Sequence, residues 1–175
     1  MATVILKWNP NFSSYSMLRY LYDIVNANYG ETDDFNWSVW DHDKISEGDK
    51  FYWVKLGYGQ TGIVGCGNVT SAPYKADDWS GKGRETYYID FVPTVLINPD
   101  ALPILNIATL HSRIPDFEWD HGHSGLVLAD QQAEELDNLW KAFVAEHGQE
   151  FMQKAECGRR ENDYIYLDFD ESGIG

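Results

Sequence analysis

The stretch GDKFYWVKLGYGQTGIVGCGNVTSAPY, Gly48 to Tyr74, decides the fold. Its first two residues predict a turn, and the following run, Phe51 to Val54, consists wholly of aromatic and β-branched residues, which favour a strand. Glycines at positions 57, 59 and 62 indicate a hairpin loop with backbone at positive φ. A second strand, residues 62–69, carries three glycines, a composition typical of a bulge, a sharp bend or close approach of something to the backbone.

Hydrophobic patterning outside this hairpin predicts further strands and three helices. We expect strands at residues 4–8, 35–39, 86–97 and 164–169, the third of them passing Pro93 through a bulge or at a sheet edge. A first helix should run from an N-cap at Ser13 or Ser14 to about residue 26, a short one over 105–111, and an amphipathic one from Asp130 to about 153. The first helix is expected to face the core with Met17, Leu18, Leu21, Ile24 and Val25. The fold class is therefore α+β.

Four pieces of sequence, in order, resemble the PUA-like superfamily near its EVE and ASCH branches. They are Lys7-Trp8-Asn9-Pro10, the segment Phe35 to Trp40, the Gly48-Asp49 turn with its aromatic strand, and the strand GIVGCGNV with the exit Ser71-Ala72-Pro73-Tyr74. This resemblance covers roughly residues 3–125. The matching segments also resemble reader domains found with prokaryotic modification-dependent nucleases. The resemblance implies a twisted β-barrel with flanking helices and a pocket, beside its open edge, that holds a nucleotide base. We therefore expect a single PUA-like domain over residues 1–175, with a barrel core of about 3–125 and a C-terminal extension of about 126–175.

Composition limits the classes of protein to consider. A chain of 175 residues with 43% hydrophobic and 15% aromatic residues can build the core of one domain. No apolar run approaches the ~18 residues of a membrane span, and the N-terminus does not read as a signal peptide, so we expect a cytoplasmic protein without membrane contact. Cys66 and Cys157 form no metal-ligand spacing, and the spacing of His121 and His123 does not demand a metal. We expect neither metal nor cofactor.

The net charge of −15 is unevenly distributed. Residues 1–115 hold 13 acidic and nine basic side chains, whereas residues 116–175 hold 15 acidic and four basic ones. A protein that binds nucleic acid mainly through its phosphates is expected to be basic. Any nucleic-acid partner must therefore be recognised through a pocket of the size of a base or through a local patch.

Aromatic residues gather around the predicted barrel strands and suggest such a pocket. The aromatic candidates are Trp8, Trp37, Trp40, Tyr52, Trp53, Tyr74 and Trp79. A flat base is held by stacking on such rings and by hydrogen bonds to its edge, for which Asn9, Ser38 and Ser80 are candidates. Trp37 lies inside a predicted strand and is better explained as a core residue.

The loop from Trp79 to Arg84 combines an aromatic residue with two cations spaced by glycines, Lys82 and Arg84. Two cations on a loop are suited to a phosphate, and we expect Trp79 and Arg84 at the mouth of the pocket. The alternative is a solvated loop without function. The segment is not a P-loop, because it lacks the GxxxxGK[ST] pattern.

These observations favour a non-catalytic module that recognises a nucleobase, including modified forms, in nucleic acid or as a nucleotide. One alternative is a small enzyme of the ASCH type that acts on a nucleoside, which would need a convergent acid–base set in the pocket. We identify no catalytic residue in the sequence. A third hypothesis is a protein-interaction domain that uses the acidic C-terminal third.

Overall fold

The computed structural model describes residues 1–28, 35–78, 80–156 and 164–166. The strands of these ranges are β1 (Thr3–Trp8), β2 (Phe35–Ser38), β3 (Lys50–Lys55), β4 (Gly62–Val69), β5 (Tyr74–Asp77), β6 (Glu85–Ile97), β7 (Leu105–Asn106), β8 (Leu126–Val127) and β9 (Tyr164–Tyr166). The helices are α1 (Met17–Asn28), α2 (Ile107–Arg113) and α3 (Asp130–Glu156), with a 3-10 turn at His42–Lys44. Within the described ranges, no helix is both long and apolar enough to cross a membrane.

All nine strands join one mixed sheet that curls into a half-barrel, which confirms the α+β class. The strand order is β2-β6-β4-β3-β1-β8, while β5 and β9 also pair with β6 and β7 pairs with β4. The pair β1–β3 is parallel and the other pairs are antiparallel. The two ends of this order, β2 and β8, are therefore brought toward each other by the curl.

Residues 124 and 125 close the gap between these two ends. The backbone N–H of Trp40 donates to the oxygen of Ser124 (3.0 Å), and the N–H of Gly125 donates to the oxygen of Ile5 in β1 (2.8 Å). Gly125 has a φ of +79°, and a Cβ atom there would lie 2.3 Å from the Cα of Val39. Only glycine fits this position, because both the backbone conformation and the space exclude a side chain.

The central hairpin confirms the prediction made from its glycines. Strands β3 and β4 pair antiparallel, with a bulge between Trp53 and Val54. A Cβ atom on Gly65 would lie 2.6 Å from the oxygen of Val95, and one on Gly67 would lie 2.1 Å from a backbone oxygen of β6. The glycines of β4 therefore allow β6 to approach the strand closely. The register of β4 against β6 shifts next to Pro93, as expected of a bulge there.

Helix α1 differs from its prediction in two respects. It begins at Met17 and not after Ser13 or Ser14, because the side chain of Ser16 accepts a hydrogen bond from the N–H of Arg19 (3.0 Å) and acts as the cap. Leu18 is 78% exposed and does not face the core. The core side of α1 includes Ile24, which is fully buried as predicted.

Two other observed boundaries differ from the predicted ones, because pairing across the sheet outweighs the local sequence preference. Residues 74–77, predicted as a strand exit and the start of a polar loop, form β5 because β6 is long enough to pair with them. Residues 105–106 pair with β4 instead of starting a helix, and the side chain of Asn106 then caps α2 by accepting from the N–H of Thr109 (2.9 Å). The predicted last strand is seen as β9, and its expected continuation over 167–169 lies outside the described residues.

Helix α3 is amphipathic as predicted and packs against the core. Its buried side chains are Leu136, Leu139, Phe143 and Val144. The Tyr52 hydroxyl of β3 donates to the Asp137 carboxylate (2.6 Å), which ties the helix to the sheet. Residues beyond 125 therefore contribute to the same hydrophobic core as the strands.

Candidate functional site

A cavity of about 760 Å³ opens where the end of β1, the loop before α1 and strand β2 meet. Pockets for small ligands have volumes of roughly 300–1,000 Å³, so the cavity is large enough for a nucleotide base with its sugar. It is lined by Lys7, Trp8, Asn9, Phe12, Ser13, Ser14, Tyr15, Arg19, Asp23, Phe35, Asn36, Trp37, Ser38, Tyr88 and Ser124.

The floor of the cavity depends on the backbone of Lys7, near the end of β1. Strand β8 pairs with β1 only at Val4 and Ile5, so the edge of β1 beyond that point needs other partners. The N–H of Lys7 donates to the hydroxyl of Ser124 (2.8 Å), and its oxygen accepts from the indole Nε1 of Trp37 (3.1 Å). The backbone of β1 thereby holds the side chains of Ser124 and Trp37, which both line the cavity.

An aromatic cluster forms one wall. Trp53 is fully buried at its centre, with ring centroids 5.7 Å from Tyr15, 5.3 Å from Trp37 and 5.7 Å from Trp8. Tyr15 and Trp37 meet edge to face, with centroids 5.8 Å apart and planes at 89°. These centroid distances lie within the range of favourable aromatic pairs. Each such pair stabilises a fold by about 0.5–1.5 kcal/mol in addition to the contribution of the surface area that it buries. The lining rings are therefore held rigidly from behind.

Tyr15 is fixed by a polar network as well. Its hydroxyl donates to the carboxylate of Asp23 (2.5 Å), which is 4% exposed and is ion-paired with Arg19 (3.3 Å). Its backbone oxygen accepts from the indole Nε1 of Trp8 (2.7 Å). Burial raises the pKa of the Tyr15 hydroxyl, and the hydrogen bond to Asp23 and its negative charge raise that pKa further. The hydroxyl therefore remains a donor, and the ring keeps a constant orientation.

The ammonium group of Lys7 also makes structural hydrogen bonds. It donates to the backbone oxygen of Glu118 (2.5 Å) and to that of His121. Burial lowers the pKa of Lys7, and the negative charges of Glu118 and Asp120 oppose that shift. This cation secures the loop that closes the barrel.

Polar side chains without internal partners remain at the rim. Within the described part of the chain, the side chains of Asn36 and Ser38 make no hydrogen bond. The side-chain oxygen of Asn9 accepts from the N–H of Asn11 (3.0 Å), which leaves its amide nitrogen as a donor. The cavity therefore combines rigid rings with polar groups that a ligand can use.

Four of the residues predicted for the site, Trp8, Asn9, Trp37 and Ser38, line this cavity together. Two aromatic candidates beside the barrel strands have structural roles: Trp53 packs against the lining rings, and the hydroxyl of Tyr52 bonds to α3. Five further predicted residues are described but do not line it: Trp40, Tyr74, Ser80, Lys82 and Arg84. Trp79 lies outside the described residues.

The residues away from the cavity have local partners. The Tyr74 hydroxyl donates to Asp90 (2.6 Å), and burial raises the pKa of that hydroxyl to about 12. The Ser80 hydroxyl donates to the carboxylate of Asp78 (2.5 Å) within its own loop. Lys82 and Arg84 are exposed on the connection between β5 and β6.

Eleven of the 15 lining residues were not among the site residues predicted from the sequence, and Tyr15, Asp23 and Asn36 are three of them. Tyr15 lies in the loop before α1, and its place in the cavity depends on its packing against Trp53 of β3. Asn36 lies between Phe35 and Trp37 on β2, so its side chain points to the opposite face of the strand from theirs. It is exposed because β2 is the terminal strand of the sheet order. Nothing in the local sequence distinguishes Asp23 from other helical acids.

No group of three His, Cys, Asp or Glu side chains lies close enough together to hold a metal ion in the ranges that the structure describes. The ring of His111, a possible third ligand beside the pair on the 115–125 loop, instead bonds to the carboxylate of Asp120 (2.6 Å). Among the described residues that line the cavity, the one carboxylate is that of Asp23, which is ion-paired with Arg19.

Comparison with protein-family models finds no match for this chain, and neither does comparison with curated proteins. Among solved structures, the fold is similar to that of a protein from Pseudomonas putida, with 14% identity, 79% of this chain and 99% of that chain covered, and a TM-score of 0.52. It is also similar to the YTH domain-containing protein mmi1 in complex with RNA (12% identity, 83% and 85% covered, TM-score 0.44). A further match is the YTH domain of Zygosaccharomyces rouxii MRB1 in complex with N6-methyladenosine RNA. The identity is 11%, the match covers 79% of this chain and 85% of that chain, and the TM-score is 0.38.

At these identities the likeness concerns the fold alone, and the two matches below a TM-score of 0.5 establish nothing about the ligand of this chain. The comparisons do not show membership of the PUA-like superfamily or of its EVE branch. That assignment stays a prediction from the sequence.

Proposed function

We propose that this chain is a single PUA-like, EVE-related domain that binds a nucleobase, including modified forms, in the cavity between β1 and β2 and catalyses no reaction. The proposal rests on one observation: a single cavity combines closely packed rings with polar side chains that have no hydrogen-bond partner among the described residues. Tyr15 and Trp37 supply the rings, while Asn36 and Ser38 supply polar groups at the rim.

A flat heteroaromatic ligand suits this arrangement better than a sugar or a peptide. Enzymes and readers that extrude a base hold it by stacking between aromatic side chains and by hydrogen bonds to its edge. An asparagine amide offers one donor and one acceptor, a pattern that matches the edge of adenine, and a serine hydroxyl serves either role. Asn9, Asn36 and Ser38 are placed to supply such contacts around the rings.

The ionisable groups of the cavity argue against catalysis. The Lys7 ammonium is held by two backbone oxygens, and the Asp23 carboxylate is held by the Tyr15 hydroxyl and by Arg19. A general acid or base must be within reach of the substrate and free to exchange a proton. Because these groups are engaged in structural bonds, the enzyme alternative has less support than the binding module.

Charge favours recognition through the base over recognition through phosphates. With a net charge of −15, the protein as a whole repels a polyanion. Affinity must then come from stacking and edge contacts inside the cavity, which are short-range and insensitive to salt compared with phosphate contacts.

The proposal is tested by calorimetric titration with adenosine, N6-methyladenosine, cytidine, 5-methylcytidine, guanosine and uridine. We expect at least one nucleoside to bind with one molecule per chain. Ser38→Ala and Asn36→Ala should each weaken that binding by about 0.5–1.5 kcal/mol, the net value of one hydrogen bond. Neither side chain has an internal hydrogen bond, so neither change should affect folding.

The matched controls are Ser112→Ala on α2 and Asn138→Ala on α3, which remove the same side chains at exposed positions away from the cavity. Both should bind as the unaltered protein does. The proposal is wrong if no nucleoside binds, or if the cavity variants and the control variants bind equally well.

A further inference from the structure

A flat aromatic pair lies on the surface next to the cavity. The indole of Trp40 and the imidazole of His123 are stacked, with centroids 3.7 Å apart and planes at 4°. Trp40 is 58% exposed, and His123 is the one ring that it contacts among the described residues. We refer to these two side chains as the Trp40–His123 shelf.

The shelf is fixed to the rim of the cavity through the backbone. Trp40 follows the lining residue Ser38 by two positions, at most about 7 Å of extended chain. Its N–H donates to the oxygen of Ser124, which also lines the cavity and directly follows His123. Trp40 and His123 therefore lie two positions and one position from cavity-lining residues, on the side where β2 meets the closing segment.

We propose that the Trp40–His123 shelf stacks the nucleotide that adjoins the base in the cavity, so that the partner is a single-stranded nucleic acid and not a free nucleoside. This inference rests on the proposed function. A base that enters the cavity leaves its neighbour in the strand without a stacking partner on that side. An exposed indole held flat at the rim replaces that lost partner.

Stacking also fits the acidic surroundings. Asp41 follows Trp40 directly, and Glu118 and Asp120 lie on the loop that carries His123. These carboxylates oppose a phosphate site at the shelf, whereas stacking of a base on an aromatic ring needs no cation and tolerates any base. The shelf should therefore increase affinity for a strand without adding sequence preference or a steep dependence on salt.

The test uses the nucleoside X of the panel above that binds most tightly, or N6-methyladenosine if none binds. The dissociation constants of three probes are measured: free X, the trinucleotide A-X-A, and the same trinucleotide with abasic flanks, in ribose and deoxyribose forms. We expect A-X-A to bind about 5- to 150-fold more tightly than the abasic version, the range that corresponds to one stacked base. Trp40→Ala should abolish this difference and leave the affinity for free X within about twofold.

Trp40→Phe should retain part of the difference, because a smaller ring still stacks. Tyr58→Ala is the matched control, since Tyr58 is another exposed aromatic residue (63%) on the loop after β3 and does not line the cavity. It should leave all three affinities unchanged.

The outcomes separate this inference from the proposed function. If X binds but the flanks make no difference, or if Trp40→Ala keeps the difference, the shelf does not stack a neighbouring base while the cavity assignment stands. If no nucleoside binds but A-X-A binds in a Trp40-dependent manner, the cavity assignment fails and the shelf holds a base by itself, which overturns the inference that it stacks the neighbour of a base in the cavity. If none of the probes binds, both are overturned, and a protein partner would be the remaining occupant of the shelf.

Discussion

The indole Nε1 of Trp37 on β2 donates a hydrogen bond of 3.1 Å to the backbone oxygen of Lys7 on β1. These strands are at and near opposite ends of the sheet order, so this bond spans the opening of the half-barrel. It satisfies a strand-edge acceptor that no neighbouring strand reaches. The side chain of Trp37 therefore lines the cavity and also links strand β2 to strand β1.

Trp37→Phe should therefore lower stability by more than the loss of ring size alone. The change leaves the oxygen of Lys7 without a donor, and an unsatisfied, partly buried polar group costs about 1–3 kcal/mol. Trp140→Phe is the control, because the indole nitrogen of Trp140 bonds to no residue that the structure describes. Urea denaturation of both variants measures the difference, and equal losses would contradict the role of the Trp37–Lys7 bond.

The close approach of β6 to β4 predicts that Gly67→Ala is destabilising. A Cβ atom would lie 2.1 Å from the oxygen of Val92 and 2.8 Å from the Cα of Pro93, so the backbone must move, at a cost of roughly 1–3 kcal/mol. Gly148→Ala on α3 makes the same chemical change where the new atom has ordinary contact at 3.6 Å. It should raise stability by up to about 1 kcal/mol through helix propensity. Thermal unfolding distinguishes the two, and a Gly67→Ala variant as stable as the parent would refute the tight contact.

Stability should decrease as the pH rises above the ordinary tyrosine pKa of 10.0. Burial raises the pKa of Tyr15, Tyr20 and Tyr52 in the folded protein, and carboxylates beside Tyr15 and Tyr52 raise it further. Below pH 10 both states keep these protons. Above it the unfolded state releases them while the folded state does not, so each tyrosine removes up to about 1.4 kcal/mol of unfolding free energy per pH unit.

Urea denaturation at several pH values between 8 and 11, with ultraviolet absorbance of tyrosinate recorded in parallel, tests this. Tyr52→Phe should reduce the decrease. If folded protein shows all of its tyrosines ionising together before it unfolds, the three buried hydroxyls are not protected.

Random duplex DNA should not bind measurably at physiological salt, because the net charge of −15 opposes a polyanion and no base of an intact duplex reaches the cavity. Electrophoretic mobility shift and calorimetry over a range of salt concentrations would measure it. Tight binding without sequence preference, and with a steep dependence on salt, would point to phosphate contacts and overturn the view that the base carries affinity.

Trp79 lies outside the described residues, and its role at the pocket mouth stays a prediction from the sequence. Trp79→Ala should change stability by less than about 0.5 kcal/mol, as expected of a surface position. It should weaken the binding of the nucleoside found in the panel by about 1–3 kcal/mol. A large loss of stability with unchanged binding would show that this tryptophan is a structural residue.

The sequence predicted the elements whose signals are local. The hairpin of β3 and β4 follows from glycines and aromatic residues in one continuous stretch. Trp37 and Ser38 were predicted at the site because an aromatic ring and a short polar side chain beside the barrel strands suit a nucleobase, and both line the cavity. Strand β5 was missed, since Lys75 and Asp77 have little strand propensity and pair only because β6 extends past them.

The remaining part of the cavity could not be predicted because it depends on contacts between distant segments. Tyr15 becomes a wall only when Trp53 packs behind it and Asp23 binds its hydroxyl. The exposure of Leu18 has the same origin, since helical spacing identifies an apolar position but not which side of the helix meets the sheet.

The bond between the Lys7 backbone and the Ser124 hydroxyl joins positions 117 residues apart, and this separation has a consequence for folding kinetics. Segments so far apart meet only after the entropy of closing a long loop has been overcome, which slows folding and delays such contacts. A nascent chain cannot assemble the cavity before residue 125 has been synthesised. Competence to bind therefore appears together with the fully folded state. A ligand of the proposed site would stabilise the chain against global unfolding by RT ln(1 + [L]/Kd), where [L] is the free ligand concentration and Kd is its dissociation constant.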